Sequence, residues 1–352
     1  MLIDLETLDD LATGCAILGT GGGGDVGPSL LQARAAISSF GPVTVTDLDE
    51  LADETLVLPI GAWGAPTVSL EKLGSGCEGL GLVAAAQHTL GRPVGALMAG
   101  EIGGGNGILP ISLAAGTDLP VVDADGMGRA FPYGYQVAMH VAGRSPSPAF
   151  LADEHGNVVT IEAVDAEWYE RLARGITVMF GTTAVGADYA MEVSIARQAT
   201  VRGSVSFACK IGAAHRSDGL RGVLEATGGR RIATGKVVDL ERRTEGGFAR
   251  GTLTLAGTGD DGGRTLGVMV QNENLLVTEQ DRILASVPDL ITVLDEATAA
   301  AIPTERVRHG DRVHLIAMPC APVWRTARGL EIGGPAAFGF DHTYVPLETA
   351  PP

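Results

Sequence analysis

Apolar residues recur along this chain at two different periods, and the change from one to the other divides it. From Thr7 onward Leu8, Leu11, Ala12, Cys15 and Leu18 return every three or four residues, which predicts a helix. Thr7 followed by Asp10 is a capping pattern for its start. A second helix is predicted over 28–40, with Pro28 in its first turn and Gly41 as its stop. Short apolar runs at 43–47, 55–61, 94–100 and 119–125 read as strands, with helices over 78–91 and 108–116 between them. Strands alternating with helices of this length predict βαβ units, hence an α/β N-terminal domain with a mixed or parallel sheet.

After about residue 185 the texture changes. One helix is predicted over 218–229, among strand-like runs at 235–243, 246–257, 265–271, 290–295 and 311–318 that are separated by glycine turns. That pattern predicts a mainly-β, largely antiparallel C-terminal domain, a sandwich or a distorted barrel. The 165–175 segment reads as a connecting helix, so the expected domains are 1–170, carrying the glycine-rich loops, and 171–352. A length of 352 residues accommodates both.

The most unusual stretch is "LGTGGGGDVGP", residues 18–28, with Gly19 and Gly21 to Gly24 around Thr20. Gly19, Gly21 and Gly24 fit the dinucleotide pattern G-x-G-x-x-G, and Asp47 lies where the ribose-binding acid would be. The segment entering the loop has helical rather than strand periodicity, however, and no Lys-Ser or Lys-Thr pair follows it. Nucleotide binding is therefore disfavoured, leaving a tight interdomain turn or a nest of backbone N–H groups that holds an anionic or carbonyl group.

Two further loops follow strands, "EIGGGNG" at 101–107 and "VVDADGMGRAFP" at 121–132. Ligands in open α/β sheets bind beyond the carboxyl ends of the strands, where these loops can meet. The meeting would gather Glu101, Gly104, Gly105, Asn106, Asp123, Asp125 and Arg129. Clustered carboxylates raise one another's pKa and so supply a proton donor beside an ionised base. That is the equipment for adding water to a polarised C=N, C=O or C=S centre. Asp123, Asp125 and Glu101 also suit a hard divalent cation, while the seven histidines are scattered, and the metal question stays open.

A net charge of −17, from 42 acidic and 25 basic residues, argues against nucleic acid as a partner. The apolar runs fall short of the roughly 20 residues that span a bilayer, and the acidic start is unlike a secretory signal, which predicts a cytoplasmic protein. Four dispersed cysteines form no metal-binding spacing and read as buried thiols. A homo-oligomer is expected from the general frequency of symmetric assemblies.

"GCAILGTGGGGD", "PIGAWGAPTVSLEKL", "EIGGGNG", "PVVDADGMGRAFP", "GKVVDLERR", "GGFARG", "QNENL", "PDLITVLD" and "GGPAAFGFD" occur in this order over nearly the whole chain. In these motifs it resembles the S-methyl-thiohydantoin desulfurase family, also called DUF917. The resemblance implies an α/β domain joined to a β-rich one, a setting beside hydantoinase and oxoprolinase enzymes, and removal of sulfur from a thiohydantoin ring to give a hydantoin. It marks Gly21, Gly22, Gly23, Gly24, Glu78, Glu101, Asn106, Asp123, Asp125 and Arg129 as site positions. The family commonly continues "GRAFP" with a Glu, where this chain has Tyr133 and Gly134.

The expected substrate is a small cyclic ureide or thioureide. Asp125 would activate water, Glu101 or Glu78 would protonate the leaving group, and Arg129 would pair with a substrate carboxylate. A covalent route through Cys15 or Cys77 is a further option. The rival readings are an ATP-dependent partner subunit of a hydantoinase-type complex and a non-catalytic binding protein.

Overall fold

Continuous apolar segments such as "LVLPI" (56–60) and "VGALMA" (94–99) are buried on both faces, as central strands of a parallel sheet must be. The computed structural model describes residues 1–64, 68, 72, 78–245 and 248–350. Its first sheet has ten strands. β1 (Leu2–Ile3), β2 (Val43–Thr46), β3 (Leu56–Gly64), β4 (Val94–Ala99) and β5 (Val121–Asp125) join β6 (Ala149–Ala152), β7 (Val158–Ile161) and β8 (Thr183–Ala187) in the order β1-β2-β5-β4-β3-β8-β6-β7. β9 (Met191–Glu192) pairs with β3 and β10 (Val201–Arg202) with β5. The β2-β5-β4-β3 centre is parallel and the flanks are antiparallel.

Helices α1 (Thr7–Leu18), α2 (Val26–Phe40), α3 (Glu78–Leu90) and α4 (Leu109–Thr117) cover this sheet with α5 (Ala138–Val141), α6 (Ala166–Met179), α7 (Val193–Ala199) and α8 (Ser204–Thr227). Asp25 caps α2 by accepting from Gly27 N at 2.7 Å, and Gly41 ends the helix at φ 101°. At the start of α1 the capping carboxylate is Asp4, not Asp10. Asp4 accepts from the backbone of Glu6 and Thr7, whereas Asp10 pairs with Arg216.

The second sheet is wholly antiparallel and forms a half-barrel. Its seven strands are β11 (Arg230–Glu245), β12 (Phe248–Gly257), β13 (Thr265–Gln271), β14 (Glu273–Glu279), β15 (Arg282–Ser286), β16 (Leu290–Asp295) and β17 (Arg312–Met318), ordered β15-β14-β13-β12-β11-β17-β16. Helix α9 (Ala327–Gly333) follows. The chain thus has an α/β N-terminal domain and an antiparallel β C-terminal one. The division expected at residue 170 differs from that of the sheets, because β8, β9 and β10 lie beyond it yet pair with the first sheet.

The predicted 218–229 helix is the end of α8, which begins at Ser204 and bends at Gly219, whose φ is 54°. α8 crosses α1 with almost nothing between them. A Cβ on Gly14 would lie 1.9 Å from the Ala208 carbonyl oxygen, and one on Gly212 would lie 1.9 Å from that of Asp10.

Hydrogen bonds also join the domains. Thr20 O accepts from Asn274 N at 2.8 Å and Asn274 Nδ2 at 2.9 Å, Gly21 O accepts from Thr304 N at 2.9 Å, and Ile17 O accepts from Thr292 Oγ1 at 2.9 Å.

Candidate active site

Helix α1 delivers the chain directly into the glycine run, so no strand precedes it as a dinucleotide-binding turn would require. Thr20, Gly21, Gly23 and Gly24 take φ values of 53°, 92°, 72° and 82°. Their carbonyls are turned to neighbouring loops. Gly23 O accepts from Asn106 N at 3.2 Å and Gly24 O from Gly105 N at 2.9 Å, in addition to the bonds of Thr20 and Gly21 across the domain seam. The run is therefore an interlocked ribbon whose carbonyls are tied to the loops on either side. Gly22 is needed for a different reason: a Cβ there would lie 1.9 Å from Glu273 Oε1.

Against this ribbon lies a cavity of about 140 Å³, walled by Gly22 to Gly24, the end of β3 at Gly61 to Gly64, and loops from both domains. Among the described residues four carboxyl groups line it: Glu101, Asp188, Glu273 and Glu305. Glu101 is buried at the end of β4. Its Oε1 accepts from Asn106 Nδ2 and its Oε2 from Phe131 N at 3.3 Å, while Asn106 Oδ1 accepts from Ala62 N at 2.7 Å. Burial pushes the Glu101 carboxyl up to about 8 against these stabilising hydrogen bonds.

Glu273, 2% exposed, is held well above the ordinary carboxylate range by burial and then by the nearby Glu101 charge. Its Oε2 is buried without a hydrogen-bond partner. Asp188 accepts a hydrogen bond from the Tyr169 hydroxyl, and burial raises it to about 7. Glu305, also raised by burial, has an unpartnered Oε1.

The structure places the residues expected from sequence in two groups. Glu101, Asn106, Gly22, Gly23 and Gly24 line the cavity. Gly21 packs against Thr304 and Asn274, Gly104 against Gly23, and Gly105 against Ser29, so these three support the wall from behind. Asp125 does not face the cavity. It is fully buried, and its Oδ2 gathers the backbone N–H groups of Ile102, Met127 and Gly128 at 2.7–2.9 Å. Burial raises Asp125 to about 6 despite those bonds.

Asp123 turns to α8, accepting from Ser206 N at 2.9 Å. Arg129 is fully buried beneath the site. Nε donates to Ala130 O, Nη1 to Pro288 O and Asp289 O, and Nη2 to Thr20 Oγ1, so this guanidinium ties the domains together instead of facing a substrate. Burial lowers it to about 10 against the opposing effect of Glu273. Glu78 lines a separate cavity of about 130 Å³ with Lys72, Asp153 and Glu154, separated from the first by Ala62 and Trp63.

Asp47 caps a short turn and pairs with Arg202. Cys15 is core, its thiol raised well above its ordinary value by burial, and Cys77 lies outside the described residues. Among the described residues no group of three His, Cys, Asp or Glu side chains is arranged to hold a metal ion.

Four charged wall residues among those described were not singled out from the sequence. Glu273 stood inside the quoted "QNENL" motif, and Arg174 lay on the helix read as a connector, so both carried a signal. Asp188 and Glu305 carried none, since each reaches the cavity only through long-range packing.

Among the described residues no helix is long and apolar enough to cross a membrane. A protein from Chromobacterium violaceum, known from its X-ray crystal structure, has the same fold, with a TM-score of 0.81 and 25% identity over 99% of this chain and 100% of that one. No curated protein matches. The S-Me-THD-like N-terminal domain matches residues 6–163 and the S-Me-THD-like C-terminal domain residues 164–347. With both domains matched in order along its length, the chain belongs to the S-Me-THD-like family, that of the S-methyl-thiohydantoin desulfurases.

Proposed function

We propose that the chain is a hydrolase that releases sulfur from a thiohydantoin-type ring in the cavity beside the glycine ribbon. One observation carries the reading: two carboxyl groups withdrawn from water, Glu101 held by Asn106 and Asp188 held by Tyr169, face one small cavity, and burial raises the proton affinity of both. Two such carboxyl groups on one wall can share the work of base and acid.

Asp188 takes a proton from water as its oxygen attacks the ring carbon that bears sulfur. Glu101, with Glu273 beside it, donates to the ring nitrogen that gains electron density and then assists departure of the thiol. For an S-methyl-thiohydantoin, one water is consumed, the C–S bond breaks, a C=O bond forms, and methanethiol and the hydantoin leave. Asn106 fixes the Glu101 carboxyl, and Tyr169 fixes that of Asp188. The family's name supports this chemistry, and the same acids would serve ring opening if water attacked the neighbouring carbonyl.

The test is thiol or sulfide release from a panel of 2-thiohydantoins and S-methyl-thiohydantoins, with and without divalent metal. Release by the wild type and its loss in Glu101→Gln and Asp188→Asn are expected. No release across the panel, or equal release by both variants, would overturn the reading.

A further inference from the structure

Arg174 is the one cation on the cavity wall among the described residues. It lies on α6 one turn after Glu170, which brings both to the same helix face. Nε donates to Glu170 Oε1 at 2.6 Å, and Nη2 contacts the same oxygen and donates to Pro132 O at 2.9 Å. Glu170 is itself held by Gly134 N at 2.8 Å. The guanidinium stands 4.3 Å from the Phe248 ring centre and 5.9 Å from that of Trp63.

Two of its three nitrogens are thus fixed, while Nη1 makes no hydrogen bond among the described residues and the side chain is 28% exposed. A planar, immobilised guanidinium with an unspent edge is suited to an oxyanion.

We propose that Arg174 is an anion subsite of this cavity, so that the ring compound bound there bears a carboxylate-ended substituent. The proposal rests on the reading that the cavity takes a cyclic ureide or thioureide. The polar ring then faces Glu101 and Asn106 while its charged arm reaches Nη1. Burial favours the protonated forms of Glu101 and Glu273, which limits their repulsion of that arm.

The probes are hydantoin-5-acetate and its uncharged methyl ester, titrated calorimetrically into the full chain, together with thiol release from the matching S-methyl-thiohydantoin pair. The wild type is expected to bind the acid about ten-fold or more tightly than the ester, the scale of one charge-assisted hydrogen bond. In Arg174→Met the acid-to-ester ratio should fall to near one, and Arg174→Lys should keep part of it.

Equal affinity for acid and ester in the wild type, which requires no variant, would overturn the assignment, as would a ratio preserved in a folded Arg174→Met. If thiol is still released from the ester under either result, only the subsite fails and the desulfurase reading stands. Binding of neither probe, with no thiol release from either partner substrate, would overturn both.

Discussion

Asp125 and Glu101 are both carboxyl groups withdrawn from water and raised above their ordinary range, yet they occupy opposite situations. Asp125 sits at a crossing of loops where three backbone N–H groups converge on one oxygen, with Arg129 spanning the domains nearby. Glu101 faces a cavity beside a second acid with a bare oxygen. Burial raises both pKa values, so a shifted pKa does not by itself separate an architectural acid from a chemical one. What separates them is whether a ligand can reach the group.

That contrast can be tested most severely at Glu101. Replacing it by Gln keeps the shape and the acceptor for Phe131 N but sets an amide NH2 against Asn106 Nδ2 and removes the transferable proton, so turnover should fall about 10²- to 10⁴-fold while stability falls by only about 1–3 kcal/mol. Steady-state kinetics beside a thermal melt would expose the opposite pattern. Arg129→Met should do the reverse, costing about 3–5 kcal/mol of stability by stranding buried carbonyls and the neighbouring acids, as denaturant unfolding would measure.

Gly22→Ala drives a methyl into Glu273 and should cost about 1–3 kcal/mol, with activity reduced more than stability implies. Asp125→Asn should cost about 1–3 kcal/mol, since an amide oxygen accepts those three N–H groups less well, while the folded fraction keeps most of its turnover. Loss of all turnover in a folded Asp125→Asn would return that residue to the chemistry.

The last test is one of pH. The folded chain holds a Glu101 proton that the unfolded chain releases near 4.5, so the stability from this group is complete below about 4.5 and lost as pH rises to about 8. Denaturant midpoints at about pH 5 and about pH 8.5 should differ less in Glu101→Gln than in the wild type.

The βαβ half and the turn to β-rich texture were readable because both rest on local periodicity. The first half of α8 was not, because its closest contacts with α1 fall on Ala208 and Gly212, whose small side chains weaken the apolar signal of that face. Strands β8 to β10 went unassigned to the first sheet because pairing partners far apart in sequence leave no local trace. In the site, glycine loops and the Glu101–Asn106 pair were legible. Asp125 and Arg129 carry equally suggestive chemistry, and only their backbone partners and their absence from the cavity wall set them apart.

The glycine ribbon gives its Gly23 and Gly24 carbonyls to one domain and its Thr20 and Gly21 carbonyls to the other. Neither half of the polypeptide therefore possesses a complete pocket, and a fragment ending before Arg230 would lack the Glu273 wall altogether. Heat that loosens the half-barrel should silence the reaction while the first sheet is still folded, making catalysis an earlier reporter of melting than loss of helix.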